Sequence, residues 1–257
     1  MRFGLSLPHY GFSLPSGEIG FADAAAWARR AEDLGFDSVW ISDHFFYSFA
    51  RYGEDRTHLA SLEPLTTLAG IAAVTERIRI GSLVLCAPFR HPALLAKAAA
   101  SIDLLSGGRF ALGLGAGWLA EEFDAFGYRF GSVGERFAVL EDTLRVLRRL
   151  FAGETVTHDG AAATLREAVL SPTPERPPPL LVGGKGGPRL LRLAAAHADG
   201  WNVVWRMSPD AYRDKVADVQ RACESVGRDP ASFGLSVGLY SLIGEDEAAA
   251  RAAFERG

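Results

Sequence analysis

The feature that most constrains this chain is a repeated alternation of a short apolar run with a longer segment whose apolar residues recur at helical spacing. Arg2–Leu7 reads as a strand, and Phe21–Leu34 sets Phe21, Ala24, Ala25, Ala28 and Ala31 on one helical face. Ser38–Ser42 is the second strand. Pro64 opens a helix with Leu65, Leu68, Ala69 and Ala72 on one stripe; proline suits a first turn, where its missing N–H has no intrahelical partner. Ile78–Leu85 is the third strand, Pro92 opens the next helix, and Arg109–Leu114 is the fourth strand. Ser132-x-x-Glu135 is a capping box ahead of Phe137, Leu140, Leu144, Leu147 and Phe151. Thr155–Ala168 reads as a hairpin around Asp159-Gly160, and Pro172–Pro179 as a stiff surface crossing, so 153–179 form an insertion. Leu180–Val182, Trp201–Trp205 and Leu235–Tyr240 are strands five to seven, each followed by a helical segment.

Strands that alternate with helices run parallel, because each crossover returns the chain to the same end of the sheet. A doubly wound sheet gathers its functional residues at one switch point. A (β/α)8 barrel places every strand's C-terminal end on one face. Clusters of Gly, His, Asp and Trp follow strands two to six, which favours an α/β fold of the barrel type, a single domain over 1–257. Seven strands are legible, not eight. A missing stave would leave two unpaired edges, so the expectation is a native C-terminal strand and helix that this sequence lacks; the runner-up is a partner subunit or internal segment in the gap.

Composition narrows the function. The chain has 257 residues, 48% of them hydrophobic, enough to bury a full core. Its formal net charge of −4, without a long basic run, speaks against nucleic acid as a partner. Cys86 and Cys223 are too few for a disulfide framework and too far apart for a paired metal motif, and no His/Cys/Asp/Glu set has ligand spacing. No signal-peptide core follows Met1, and no apolar run approaches ~20 residues. A cytoplasmic protein without a membrane span, acting on a small molecule, is the expectation. No Gly-x-Ser-x-Gly elbow is present.

Three segments are candidates for chemistry. Asp43-His44 follows strand two, at the catalytic face of a barrel, and histidine exchanges protons near neutrality; the alternative is a loop cap with His44 packed on Phe45 and Phe46. Gly113-x-Gly115-Ala116-Gly117-Trp118 follows strand four, where glycines let backbone approach a flat ligand or simply turn a tight corner; its spacing is not the dinucleotide fingerprint. Gly183-Gly184-Lys185-Gly186-Gly187 precedes a helix at Pro188, so backbone N–H groups, the helix dipole and Lys185 suit an anion; a flexible loop is the alternative. His91 reads as a cap for the Pro92 helix, His9 as a weaker site candidate, and His58, His158 and His197 as surface or structural residues.

The segments WISDHFF (Trp40–Phe46), RIRIGSLVLCAPFRHPALLAK (Arg77–Lys97), LLSGGRFALGLGAGW (Leu104–Trp118) and LLVGGKGGPRLLRLAAAHADGWN (Leu180–Asn202) together resemble the luciferase-like flavin oxidoreductase family, in particular its branch dependent on the deazaflavin coenzyme F420. The resemblance implies a (β/α)8 barrel with insertions, a homodimer, and coenzyme at the C-terminal face. Carried over by motif, Asp43 and His44 would lie near the reactive face of the ring. Leu83 and Val84 would form a bulge behind it, with a non-prolyl cis peptide between them. Gly115, Ala116 and Gly117 would approach its polar end. Gly183, Gly184, Lys185 and Gly186 would hold the phosphate. The related sugar-phosphate dehydrogenases place a glutamate where this chain has Trp118, which puts a sugar phosphate in doubt; Glu121 and Glu122 fall on the following loop or helix. Phe45, Phe46, Trp118 and Trp205 would wall the pocket for a hydrophobic substrate, and His44 would exchange a proton during hydride transfer. Alternatives on the same fold are an FMN-dependent monooxygenase and a non-catalytic flavin-binding protein.

Overall fold

A computed structural model describes residues 1–14, 16–50, 53–204, 207–241 and 243–256, with backbone only for 253–256. Its main sheet is parallel and contains β1 (Gly4–Ser6), β2 (Ser38–Ile41), β5 (Arg79–Ser82), β7 (Phe110–Gly115), β10 (Leu180–Gly183), β11 (Gly200–Val204) and β12 (Gly234–Gly238), hydrogen-bonded in that order. Neighbours in sequence are therefore neighbours in the sheet, the strand order of a (β/α)8 barrel. β1 and β12 form the two edges, and a strand joining them is not among the described residues.

The helices follow the expected alternation: α1 (Phe21–Asp33), α2 (Pro64–Val74), α3 (Pro92–Ser106), α5 (Val133–Phe151), α6 (Pro188–His197), α7 (Pro209–Ser225) and α8 (Glu247–Arg256). Periodicity and caps explain them. Ala24, Ala25, Ala28 and Ala31 bury the α1 stripe. Ser132 and Glu135 close the capping box of α5, and His91 accepts the Ala93 N–H at the start of α3. The core lies between sheet and helices, and β7 is buried at every position, as expected of a parallel strand covered on both faces.

Three features depart from the sequence reading, and the hairpin expected in the insertion is present. The strand expected over Ile78–Leu85 is broken into β5 and β6 (Leu85–Cys86), which also pairs with β7, and the Leu83–Val84 peptide between them is cis as expected. Two residues each of β3 (Phe46–Tyr47) and β4 (Leu59–Ala60) form an antiparallel pair over the β2 end. A short helix, α4 (Ala120–Ala125), follows β7. The insertion holds the antiparallel hairpin β8 (Val156–Asp159) and β9 (Thr164–Ala168), whose tip is fixed when Asp142 of α5 accepts from the Ala162 N–H at 2.7 Å and pairs with His158 at 2.5 Å. Among the described residues no helix is long and apolar enough to cross a membrane.

Candidate functional site

Because the strands are parallel, the segments after β2, β5, β7 and β10 emerge at one end of the sheet. There His44 Nδ1 lies 2.8 Å from Glu122 Oε2, while Glu122 Oε1 accepts the Phe45 N–H at 2.6 Å. A carboxylate only accepts, so Nδ1 carries the hydrogen and Nε2 of the neutral ring keeps its lone pair. Glu122, on α4, is 2% exposed. Burying it would be costly without these partners. Around the imidazole stand Tyr47 and Trp118, edge-on at 5.3 and 5.6 Å between ring centroids, and Tyr10 at 6.0 Å. Phe12 and Phe49 extend this wall through Tyr47 at 5.3 and 5.0 Å.

Asp43 is committed elsewhere. Its carboxylate accepts the Cys86 N–H at 2.8 Å and a forked pair from Arg90, whose other contact is Glu63 at 2.7 Å. This ties the β2 end to β6 and the segment after it, while His44 Nε2 has no hydrogen-bond partner among the described residues. Phe45 and Phe46 make no ring contact with His44 among the described residues: Phe45 stacks on Phe126 at 4.1 Å and contacts Phe89, and Phe46 packs on His58. Trp118, 40% exposed, does join the His44 wall. Trp205 lies outside the described residues.

Val84 is the centre of a glycine cluster. A Cβ on Gly115 would come 2.8 Å from Val84 Cγ2, and one on Gly183 2.7 Å from Cγ1. Their glycines therefore make room for the Val84 side chain. Gly117 adopts φ +76° against Cys86 and Phe123, and Ala116 packs on the core.

After β10, Gly184 and Gly186 adopt φ +151° and +75°, values that disfavour a side chain. Lys185 between them is exposed and makes no hydrogen bond or ion pair among the described residues. The N-cap of α6, Gly187, supplies no side-chain cap. An uncapped helix N-terminus beside an unpaired lysine suits an anionic group.

Under the site runs a buried network. His9 Nδ1 is 2.6 Å from the Leu7 carbonyl, His9 Nε2 is 2.8 Å from Ser42 Oγ, and Ser42 Oγ is 2.6 Å from the Tyr10 hydroxyl. The carbonyl fixes the hydrogen on Nδ1, so Ser42 donates to Nε2 and Tyr10 donates to Ser42. Burial pushes His9 down to about 4, against its bond to Leu7, and keeps the ring neutral.

The sequence reading names His44, Trp118 and the β10 loop as site candidates and puts Glu122 on the following loop or helix without giving it a role; it does not single out Tyr10 or Tyr47. A signal for Glu122 existed: in Ala120–Phe126 it sits beside Phe123 on the buried stripe, where a carboxylate must be paired.

The whole chain, residues 1–257, matches the luciferase-like monooxygenase family. It is similar to an F420-dependent hydroxymycolic acid dehydrogenase of Mycobacterium tuberculosis, 36% identical over 89% of this chain and 61% of that protein. An F420-dependent glucose-6-phosphate dehydrogenase of Amycolatopsis mediterranei is 33% identical over 80% of this chain and 60% of its own length. The chain thus spans about three fifths of these curated relatives. Among solved structures, an F420-dependent secondary alcohol dehydrogenase in complex with an F420-acetone adduct shares the fold with a TM-score of 0.80 at 24% identity, over 98% of this chain and 73% of that one. An EDTA monooxygenase from Chelativorans does so with a TM-score of 0.83 at 20% identity, over 100% and 69%.

Proposed function

The chain belongs to the luciferase-like monooxygenase family, and from that premise we propose that it is an oxidoreductase using coenzyme F420 to exchange a hydride with a small apolar organic substrate. The observation that carries this is the His44–Glu122 pair standing at the same end of the sheet as the β10 loop. Named relatives that use F420 support the choice of coenzyme over FMN.

The residues fit such a group. Gly184 and Gly186 give the β10 loop backbone conformations that a side chain would strain, Lys185 has no partner among the described residues, and α6 begins without a side-chain cap. In this reading Lys185 and the loop N–H groups hold the phosphate, and the Val84 bulge backs the ring. F420 supplies a carbon centre that accepts or donates a hydride. His44 Nε2 takes the proton of a substrate hydroxyl, or returns it in the reverse direction. Glu122 fixes the ring and its tautomer and offers a counter-charge when the ring takes up that proton. Trp118, Tyr47 and Tyr10 exclude water and favour apolar substrate surface. Trp118 in place of an acid, and no unpaired cation in the described wall, argue against a sugar phosphate.

The test is to load the protein with F420 and follow loss of its visible absorption on adding a panel of primary and secondary alcohols, with glucose 6-phosphate as the contrasting substrate. Bleaching by an apolar alcohol is expected. Bleaching by glucose 6-phosphate alone, or oxygen consumption with FMN and a reductant, would overturn the reading.

A further inference from the structure

The β10 loop owes its shape to two residues that lie beyond it in sequence. Trp201, on β11 and 1% exposed, donates its indole N–H to the Gly184 carbonyl at 3.0 Å. Lys215, on α7, donates to the Gly186 carbonyl at 3.2 Å and is itself held by Asp218 at 2.7 Å. A Cβ on Gly186 would meet the Trp201 ring at 2.8 Å and the Lys215 stem at 3.2 Å, so both are packed on the loop as well as bonded to it.

Peptide geometry turns these contacts into a statement about the loop's other side. In a planar trans peptide the C=O and the following N–H point in opposite directions. Drawing the Gly184 carbonyl toward Trp201 turns the Lys185 N–H away from the protein body. Drawing the Gly186 carbonyl toward Lys215 does the same to the Gly187 N–H. Neither N–H has a backbone or side-chain acceptor among the described residues, whereas the Gly184 N–H is used by the Asn202 carbonyl at 3.1 Å. Two donors therefore face outward on the loop that carries the exposed Lys185.

We propose that Trp201 and Lys215 are positioning residues for the coenzyme's phosphate: they hold the two carbonyls back so that the Lys185 and Gly187 N–H groups are preset toward the anion. Neither side chain needs to touch the ligand. The inference rests on the phosphate reading of the loop, and its test separates the two.

Binding is measured by fluorescence titration with F420 and with the same deazaflavin lacking its phosphate and tail, on the whole chain and on the variants Trp201→Phe and Lys215→Met. Phenylalanine keeps ring packing and removes the donor; methionine keeps the stem and removes the ammonium. Each lost hydrogen bond is expected to weaken F420 binding roughly five- to tenfold and to leave the phosphate-free ring unchanged. A wild-type protein that binds both ligands alike would overturn the phosphate reading of the loop and this inference with it. A wild-type preference for F420 that both variants keep, or an equal loss of both ligands in the variants, would overturn the positioning role alone. Circular dichroism of each variant identifies any that has not folded, and Trp201→His, which retains a ring N–H, should recover part of the loss in Trp201→Phe.

Discussion

At the residue scale the proposed proton transfer needs one nitrogen. His44 Nε2 is available because Nδ1 is engaged by Glu122. His44→Ala should retain coenzyme binding and lose about 10²–10⁴ in the rate of alcohol-dependent coenzyme reduction. Glu122→Gln should act through His44: one charge-assisted hydrogen bond is worth about 1.5–3 kcal/mol, or roughly 10–100-fold in rate. The double variant tells whether they act as a unit, since its rate should match that of His44→Ala alone. Additive losses in single-turnover rates would mean that Glu122 serves the fold and not the imidazole. Lys185→Ala, on an exposed loop residue with no packing to lose, should weaken F420 about tenfold or more and leave thermal unfolding unchanged; an unchanged titration would remove Lys185 from the site.

At the scale of elements, strands and helices were legible because burial imposes their periods, and punctuation at Pro64, Pro92 and Ser132 fixed the helix starts. Contacts remote in sequence were not legible in that way. Glu122 meets His44 across 78 positions, and only the α4 turn brings them together. Phe45 and Phe46 adjoin His44 in sequence, yet their rings pack on Phe126 and His58, while Tyr10, Tyr47 and Trp118 are the rings next to the imidazole. The glycines after β7 and β10 were read as ligand approaches. At Gly115 and Gly183 the close approach is made by Val84. Gly183→Ala should therefore destabilise the fold by about 1–3 kcal/mol through overpacking. Combined with Val84→Ala, which removes both clashing methyls, the loss should be smaller than the sum of the two single changes. Simple additivity in denaturant unfolding would show that Gly183 is needed for some other reason.

For the whole molecule, the buried His9 network couples stability to pH. Its folded value of about 4 lies below the ordinary 6.5. Between those values the unfolded chain binds a proton that the folded chain refuses, so stability is full above pH 6.5 and falls as pH drops toward 4. The span corresponds to roughly 3 kcal/mol. His9→Gln should flatten that part of the stability curve relative to wild type, and parallel curves from pH 7 to 4 would assign the acid sensitivity to other groups. The strand order brings the His9 network, the His44–Glu122 pair and the β10 loop to one end of a parallel sheet, where the proposed reading seats a flat, phosphate-bearing coenzyme next to the imidazole. The most direct measurement is a side-by-side equilibrium titration of the protein with F420 and FMN. Saturable binding of F420, tighter than that of FMN, is the predicted result; no saturable F420 binding, or a clear preference for FMN, would contradict the account.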